Sequence, residues 1–290
     1  MNNTYLTCLL FLILVSNGFS QEIILQGNVT DQNNETLPFV NIGIPNKNTG
    51  TVSNENGSFK LKIPSNISEK DTVAFSYIGF KTLRKSVADL IRQQGKSIRM
   101  ETEENQLAEV VLETKKFKNR KLGRTGKGLG FMHFNYYTAK EKEVDDRLSK
   151  EIGMNFKLKN NCRLEKFNFA ISTNEFEKLK LRLNIYSLKD GKPQKLMISD
   201  NIIIEITNEE TGWKSIDLDP YNIYLKKELD EFLVTLQWIE SKKSKTKSKF
   251  FAIPASKSPL HKTYSRQKAM DEWKSQTGSL SMYLDARCSR

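Results

Sequence analysis

Histidine is scarce in this chain of 290 residues, and its scarcity limits the chemistry that the protein can perform. The two histidines, His133 and His261, are not followed by a glutamate at the third position. Because zinc peptidases need closely spaced His and Glu ligands and a general base, we expect no metal, no cofactor and no enzyme activity. A Gly-x-Ser-x-Gly nucleophile turn is also missing. A Cys162–His133 dyad and an uncharacterised hydrolase stay open as alternatives.

Cysteine is nearly as rare, with three residues in the whole sequence. Cys8 lies inside the apolar amino-terminal run, so Cys162 and Cys288 are the two that follow it. In an oxidising compartment these two thiols can form a disulfide, which would tie the carboxyl end to the middle of the second half. Two free thiols are the alternative.

Long apolar runs are missing except at Leu6–Val15. This run precedes small residues and then Gln21, a pattern typical of a secretory signal peptide over residues 1–20, although its first residues contain no Lys or Arg. The sequence therefore predicts an exported protein, located in the periplasm, at the outer-membrane surface or outside the cell. We expect no transmembrane segment after signal cleavage.

Positive charge is concentrated in the second half. Residues 21–115 contain 11 Lys and Arg against 12 Asp and Glu, whereas residues 116–290 contain 35 against 22. Such an excess can attract acidic polysaccharide, lipid headgroups or nucleic acid, and for an exported protein we expect no nucleic acid partner. The simpler interpretation is solvated lysines on loops and strand edges. The lysine run 242–249 is interpreted in the same way, as a solvated hairpin loop, with an acidic-glycan or lipid-headgroup contact as the alternative.

Short alternating segments indicate β-structure in the first half. Apolar and polar residues alternate in Val40–Ile44, Phe59–Ile63 and Val73–Tyr77, as expected for half-buried strands. Asn- and Gly-rich turns lie at Asn48–Gly50 and Asn54–Gly57. Strands at roughly ten-residue spacing predict a β-sandwich.

The succession Gly27–Asp31, Leu37–Ile44, Asn48–Phe59 and Val73–Lys81 resembles the carboxypeptidase regulatory-like domain. The resemblance implies a prealbumin-like β-sandwich, common in envelope proteins of Bacteroidetes-type bacteria. It implies no catalytic residue, because the family name refers to an accessory sandwich of those enzymes.

The boundary between the halves follows Asn105–Thr114, which resembles the end of this domain in TonB-dependent receptors. We assign residues 21–114 to the first domain, 115–130 to a flexible, basic, Gly-rich linker and 131–290 to a second domain. The linker glycines do not form a phosphate-binding loop, because Gly128 is followed by Leu129 rather than by Lys and Ser or Thr.

The second half also alternates like a β-protein, for example in Glu165–Ile171, Leu181–Tyr186 and Phe232–Glu240. About eight such strands predict a jelly-roll or galactose-binding-like sandwich, so the fold class is all-β. Short helices are predicted at 87–94 and 265–273. The second half also resembles, more loosely, the domain that often follows the regulatory-like module.

Binding is the function class that remains. We expect a non-catalytic envelope protein with a binding or scaffolding role, whose partner is an envelope protein or a polysaccharide. A carbohydrate-binding accessory module is the alternative. Exposed aromatic rings can stack on sugars, and the candidates are Trp213, beside a glycine turn, with Tyr221 and Tyr224. Trp273 is a further candidate, whereas Trp238 continues an apolar strand face and is assigned to the core.

Overall fold

The computed structural model describes residues 22–93, 95–103, 117–126, 132–139 and 141–289. The predicted signal peptide and the predicted domain end at Asn105–Thr114 lie outside the described residues. Within the described ranges, no helix combines the length and apolar content needed to cross a membrane.

The first domain is a β-sandwich, as predicted. Strands β4, β1 and β7 form one sheet, and β3, β2, β5 and β6 form the other. Their buried apolar faces make one core, which includes Val29, Val40 and Phe75. The elements are β1 (Ile23–Thr30), β2 (Asn41–Ile44), β3 (Thr49–Val52), β4 (Ser58–Ile63), β5 (Thr72–Ser76), β6 (Leu83–Ser86), α1 (Val87–Arg92) and β7 (Ser97–Arg99).

Local chemistry explains how this domain closes. The buried Ser53 hydroxyl donates to the Leu37 carbonyl (3.0 Å) and accepts the Val40 N–H (2.8 Å), so it satisfies two backbone groups at the sandwich edge. The turn before β4 needs glycine, because Gly57 has φ +73° and a Cβ there would lie 2.6 Å from the Val29 carbonyl. Ser86 caps α1 by accepting the Asp89 N–H.

The second domain is a larger sandwich. Its longest strand, β13, pairs with β18 in a seven-stranded sheet of order β14-β13-β18-β10-β20-β21, with β15 also on β13. The elements are β8 (Phe117–Gly123), β9 (His133–Asn135), β10 (Glu151–Lys157), β11 (Cys162–Ile171), β12 (Thr173–Asn174), β13 (Phe176–Lys189), β14 (Lys192–Leu196), β15 (Ile202–Thr207), β16 (Gly212–Asp217), β17 (Tyr224–Leu225), β18 (Glu231–Lys243), β19 (Phe251–Ser256), β20 (Lys262–Arg266), β21 (Lys274–Thr277), β22 (Ser279–Leu280) and β23 (Met282–Ser289).

The seven-stranded sheet packs through its apolar face against a five-stranded sheet of order β16-β11-β23-β8, with β17 also on β11. A small sheet of β12, β19, β22 and β9 completes the layer. One core fills the space between them, with Trp238, Phe156 and Phe167 fully buried. The all-β prediction with two consecutive sandwiches is confirmed, and Trp238 lies in the core as predicted.

Three local predictions differ from the structure. Phe117–Gly123, assigned to a flexible linker, is strand β8, because its backbone pairs with β23 along its whole length. Residues 265–273 contain no helix, since Lys262–Arg266 pairs with β10 and β21. The lysine run 242–249 is not a hairpin loop, because it connects β18 in the seven-stranded sheet to β19 in the small sheet. The helix predicted at 87–94 is present as α1.

Cys162 and Cys288 form a disulfide. They lie directly opposite each other on β11 and β23, with Cα atoms 4.0 Å apart and both side chains buried. The bond therefore joins a central strand of the five-stranded sheet to the last described strand, and it closes a loop across 126 residues.

The seven-stranded sheet has a second face, which is polar and yet buried. This face carries Lys180, Arg182 and Gln237, and the first domain covers it. The Arg182 guanidinium donates to the Phe39 carbonyl, the Gln237 amide donates to Asn41 Oδ1 (2.9 Å), and Lys180 forms an ion pair with Glu55. An apolar contact of Phe39, Val52 and Ile239 lies beside them.

The hairpin of β2 and β3 makes the closest approach between the domains. A Cβ at Gly43 would lie 2.3 Å from the Ala269 carbonyl oxygen, and one at Gly50 would lie 3.1 Å from it. The Asn46 N–H donates to the Met270 carbonyl (3.2 Å), and the Ala269 N–H donates to Ser149 Oγ (2.8 Å). The two domains therefore meet through fixed backbone.

Removing the disulfide should destabilise the protein. For a loop of this length, we expect Cys162→Ala/Cys288→Ala to lower the free energy of unfolding by about 3–5 kcal/mol, because the unfolded chain regains loop entropy. Urea unfolding of the purified protein with and without reductant measures the loss. The reduced wild type should resemble the variant, and equal midpoints for oxidised and reduced protein would contradict the prediction.

Gly43→Ala should loosen the contact between the domains. The added methyl cannot fit against the Ala269 carbonyl, so we expect a loss of about 1–3 kcal/mol and separate unfolding of the two domains. Gly126→Ala is the matched control, because nothing lies within 4 Å of its Cβ position. Calorimetry would refute the prediction if both variants unfolded in one transition at the wild-type temperature.

Candidate functional site

The five-stranded sheet turns one face away from the core, and most of the predicted binding residues lie there. The strand register shows which residues lie side by side on this face. Trp213 lies opposite Ala170, and Asn168 lies opposite both Ser215 and Tyr283. Further along, Lys166 opposes Asp217 and Asp285. We call this surface the outer face.

An aromatic pair marks one end of the outer face. Trp213 is 36% exposed, and its ring meets Tyr283 edge to face with centroids 5.2 Å apart. The Lys121 ammonium lies 4.4 Å from the centroid of the Tyr283 ring. Trp213 is on β16 at the edge of the sheet, so the pair is open to a ligand from the front and from the side.

A polar network follows the aromatic pair along the strands. Asp285 accepts a hydrogen bond from the Asn168 amide (2.9 Å) and forms an ion pair with Lys121 (3.0 Å). The hydrogen bond with Asp285 is the main cause that raises the pKa of Lys121. Beyond it, Glu165 binds Arg287 (2.5 Å). These side chains border a cleft of about 400 Å³, lined by Asn119, Arg120, Lys121, Glu165, Lys166, Asp285 and Ala286.

The structure separates the three predicted ligand residues. Tyr224 opposes Arg163 on β11, so it lies on the outer face but at the other end from Trp213. The seven strand positions between Ala170 and Arg163 correspond to about 20 Å. Tyr221 is partly buried and packs against the core.

Two further aromatic residues need comment. Trp273 is not a platform, because the Arg266 guanidinium lies 4.6 Å from its ring centroid and Tyr186 packs edge to face against it. Tyr283, by contrast, was missed by sequence reasoning. It lies in the predicted last strand, and its position opposite Asn168 depends on a pairing between residues more than a hundred positions apart.

A second opening lies between the domains. This cleft has a volume of about 1140 Å³, and Phe59 and Lys62 line it from the first domain. From the second domain, Lys150 donates to the Tyr136 carbonyl and Lys268 to the Asp146 carbonyl. Burial is the main cause that lowers the pKa of both lysines to about 8.

Acidic groups in this cleft are engaged with other cations. Glu141 binds the buried Arg147 (2.7 Å), and Asp146 binds Lys62 (2.9 Å). Among the described residues, no cluster of three His, Cys, Asp or Glu side chains could hold a metal ion. Lys62, Glu141, Asp146 and Arg147 are thus bound to one another, and Lys150 and Lys268 to backbone carbonyls.

Cys162 and the two histidines are engaged in structural contacts. Cys162 is in the disulfide, so it has no thiol to pair with His133, whose Nδ1 lies 2.8 Å from Ser172 Oγ. His261 Nδ1 lies 3.2 Å from the Asn155 carbonyl. The buried Glu151 receives Arg266 (2.6 Å) and the Asn184 amide (2.8 Å), which fixes it inside the domain interface.

Comparison with known proteins bears on the first domain. Residues 25–112 match the family model of the CarboxypepD_reg-like domain. The first domain is therefore similar to this family over the matched residues. The predicted resemblance is thereby confirmed for this part of the chain, while the match does not extend to the second domain.

Solved structures similar to the whole chain are remote. BcpA, the major pilin subunit of Bacillus cereus, shares 9% identity over 90% of this chain and 69% of its own, with a TM-score of 0.18. The structure of the infectious bursal disease virus Gx strain shares 10% identity with this chain. The overlap covers 92% of this chain and 63% of the viral chain, with a TM-score of 0.23. At these TM-scores neither overlap bears on the function of this chain. No curated protein matches the sequence.

The two cleft lysines should give stability a distinctive pH dependence. With a pKa near 8 in the folded protein and about 10.4 in the unfolded chain, each is less protonated in the folded state between pH 8 and 10. Because these two lysines bind more protons in the unfolded chain, their contribution to the free energy of unfolding should rise with pH between pH 8 and 10. Lys150→Met/Lys268→Met should remove that rise.

Urea unfolding at pH 7 to 10 tests the expectation. The difference between wild type and the double variant should change steadily above pH 8, in favour of the wild type. Lys274→Met, on an exposed lysine of the same cleft, is the control and should run parallel to the wild type. If the free energy of unfolding of the double variant also ran parallel to that of the wild type from pH 7 to 10, the lowered pKa values of Lys150 and Lys268 would be refuted.

Proposed function

We propose that this chain is an exported, non-catalytic binding protein of the bacterial cell envelope, and that its ligand is a glycan held on the outer face. The observation that carries the proposal is the Trp213–Tyr283 pair at the free edge of the five-stranded sheet. Export, a Bacteroidetes-type origin and the absence of catalysis are parts of the proposal that rest on the sequence.

The outer face has the two chemical features that sugar recognition uses. A pyranose ring has an apolar side of C–H groups, which stacks on an indole or phenol ring. Its hydroxyl groups need donors and acceptors at fixed positions. Next to Trp213 and Tyr283, the Asp285 carboxylate supplies an acceptor and the Lys121 ammonium supplies donors, while the buried Asn168 amide holds the Asp285 carboxylate in place.

The CarboxypepD_reg-like domain supports a scaffolding part in this function. It covers the polar face of the seven-stranded sheet, whereas the outer face belongs to the other sheet of the second sandwich. Large exposed apolar side chains such as Leu260 and Phe117 lie on separate elements, whereas an extended apolar patch would favour a protein partner. We therefore place the glycan ahead of a protein ligand.

A glycan-array and envelope-polysaccharide screen on residues 21–290, at low and high salt, tests the proposal. We expect binding that persists in high salt and falls at least tenfold in Trp213→Ala, because stacking is not screened by ions. Leu260→Ala is the control, since this side chain is 69% exposed and distant in sequence from the outer face. Binding that vanishes with salt, or is the same in both variants, would refute stacking at Trp213.

A further inference from the structure

The connection between β18 and β19 concentrates positive charge at one place on the surface. Residues 242–250 comprise the last two residues of β18 and the connection to β19; we call this segment the lysine loop, and it contains Lys242, Lys243, Lys245, Lys247 and Lys249. All five side chains are exposed. Because like charges repel, five ammonium groups within eight residues cost stability unless a partner neutralises them.

The lysine loop has a defined backbone. The Glu175 carboxylate accepts the N–H groups of Lys249 (2.7 Å) and Phe250 (3.1 Å). Buried Ser248 binds both backbone groups of Lys245, each at 3.0 Å. The Arg147 guanidinium donates to the Lys249 carbonyl (2.8 Å). The fold therefore holds the lysines together on a fixed turn, a preorganised arrangement for binding.

Most of this charge has no internal counter-ion. Within the described chain, Lys242 forms an ion pair with Glu177 (2.7 Å), and the other four lysines form none. Lys243 donates to the Thr246 carbonyl instead. The neighbouring carboxylates are engaged elsewhere, because Glu175 accepts backbone N–H groups and Glu240 binds Lys180.

An aromatic ring accompanies the charge. Phe250 is 39% exposed and packs edge to face on Tyr137, with centroids 5.5 Å apart. The Lys249 ammonium lies 5.6 Å from the centre of the Tyr137 ring. Ammonium groups beside an exposed phenylalanine form the combination that associates with the surface of an anionic bilayer, where lysines meet phosphates and the ring enters the interface.

We propose that the lysine loop docks the protein onto an anionic phospholipid surface. Four lysines without an ion pair supply the charge attraction, and the exposed Phe250 ring supplies an apolar contact with the bilayer interface. The surface is separate in sequence from Trp213 and Tyr283, so the inference goes beyond glycan binding and does not depend on it.

Co-sedimentation with vesicles tests the proposal, using the purified protein of residues 21–290 and vesicles of phosphatidylcholine with or without phosphatidylglycerol. We expect binding to the anionic vesicles only, with loss in high salt. Replacing Lys243, Lys245, Lys247 and Lys249 by glutamine should lower the partition coefficient by about 100-fold or more. Phe250→Ala should lower it by severalfold while the salt dependence stays.

A matched variant separates the loop from net charge. Lys70, Lys96, Lys157 and Lys195 are exposed lysines on other elements, and their replacement by glutamine removes the same charge. This control should bind vesicles within a few-fold of wild type, as should Trp213→Ala. Equal losses in the loop variant and the control would overturn the proposal. The proposal would also be overturned if polygalacturonate displaced the protein from vesicles and bound it as tightly as the anionic vesicles do. That result would assign the loop to acidic glycan.

Discussion

The buried guanidinium of Arg182 is the contact on which the arrangement of the two domains depends. It lies on the face of the seven-stranded sheet that points away from the core, where a sandwich would normally meet solvent. Burial lowers the pKa of Arg182, so the charge needs fixed hydrogen-bond acceptors, and the first domain supplies one with the Phe39 carbonyl. Gln237 supplies another on the neighbouring strand (3.3 Å). Without the first domain this polar row would face water and would lose its hydrogen bonds to the Phe39 carbonyl and to Asn41. The two sandwiches therefore form one structural unit.

This constraint also decides which surface is available for binding. The seven-stranded sheet has its apolar face in the core and its polar face under the CarboxypepD_reg-like domain. The five-stranded sheet has the same kind of apolar inner face, and its outer face carries the exposed Trp213 at the edge. Polar residues on the two outward faces thus have different roles. Arg182 and Gln237 join domains, whereas Asn168 and Asp285 organise a surface that faces solvent.

The sequence predicts strands and core well, because alternation reports local burial. Leu181–Tyr186 and Phe232–Glu240 lie in strands as predicted, and Trp238 is fully buried. Alternation fails where burial comes from another domain: Lys180, Arg182 and Asn184 look like a solvated strand face and are buried. It also fails at strand β8, whose basic residues resemble a linker and become ordered by pairing with β23. Tyr283 joins Trp213 for the same kind of reason, since long-range pairing leaves no local signal.

One short segment connects the first domain, the core of the second and the lysine loop. Asp146 binds Lys62 of the first domain, and its neighbour Arg147 lies with its guanidinium 4.8 Å from the ring centre of Trp238. The same guanidinium binds Glu141 and the carbonyl of Lys249. Because Arg147 is buried and forms several bonds, the loop backbone cannot shift without disturbing contacts that also lead to the domain interface. The fold thus fixes the position of the loop backbone relative to both domains. A surface held in this way can set the orientation of the whole protein on whatever it binds, which a flexible basic tail of equal charge cannot do.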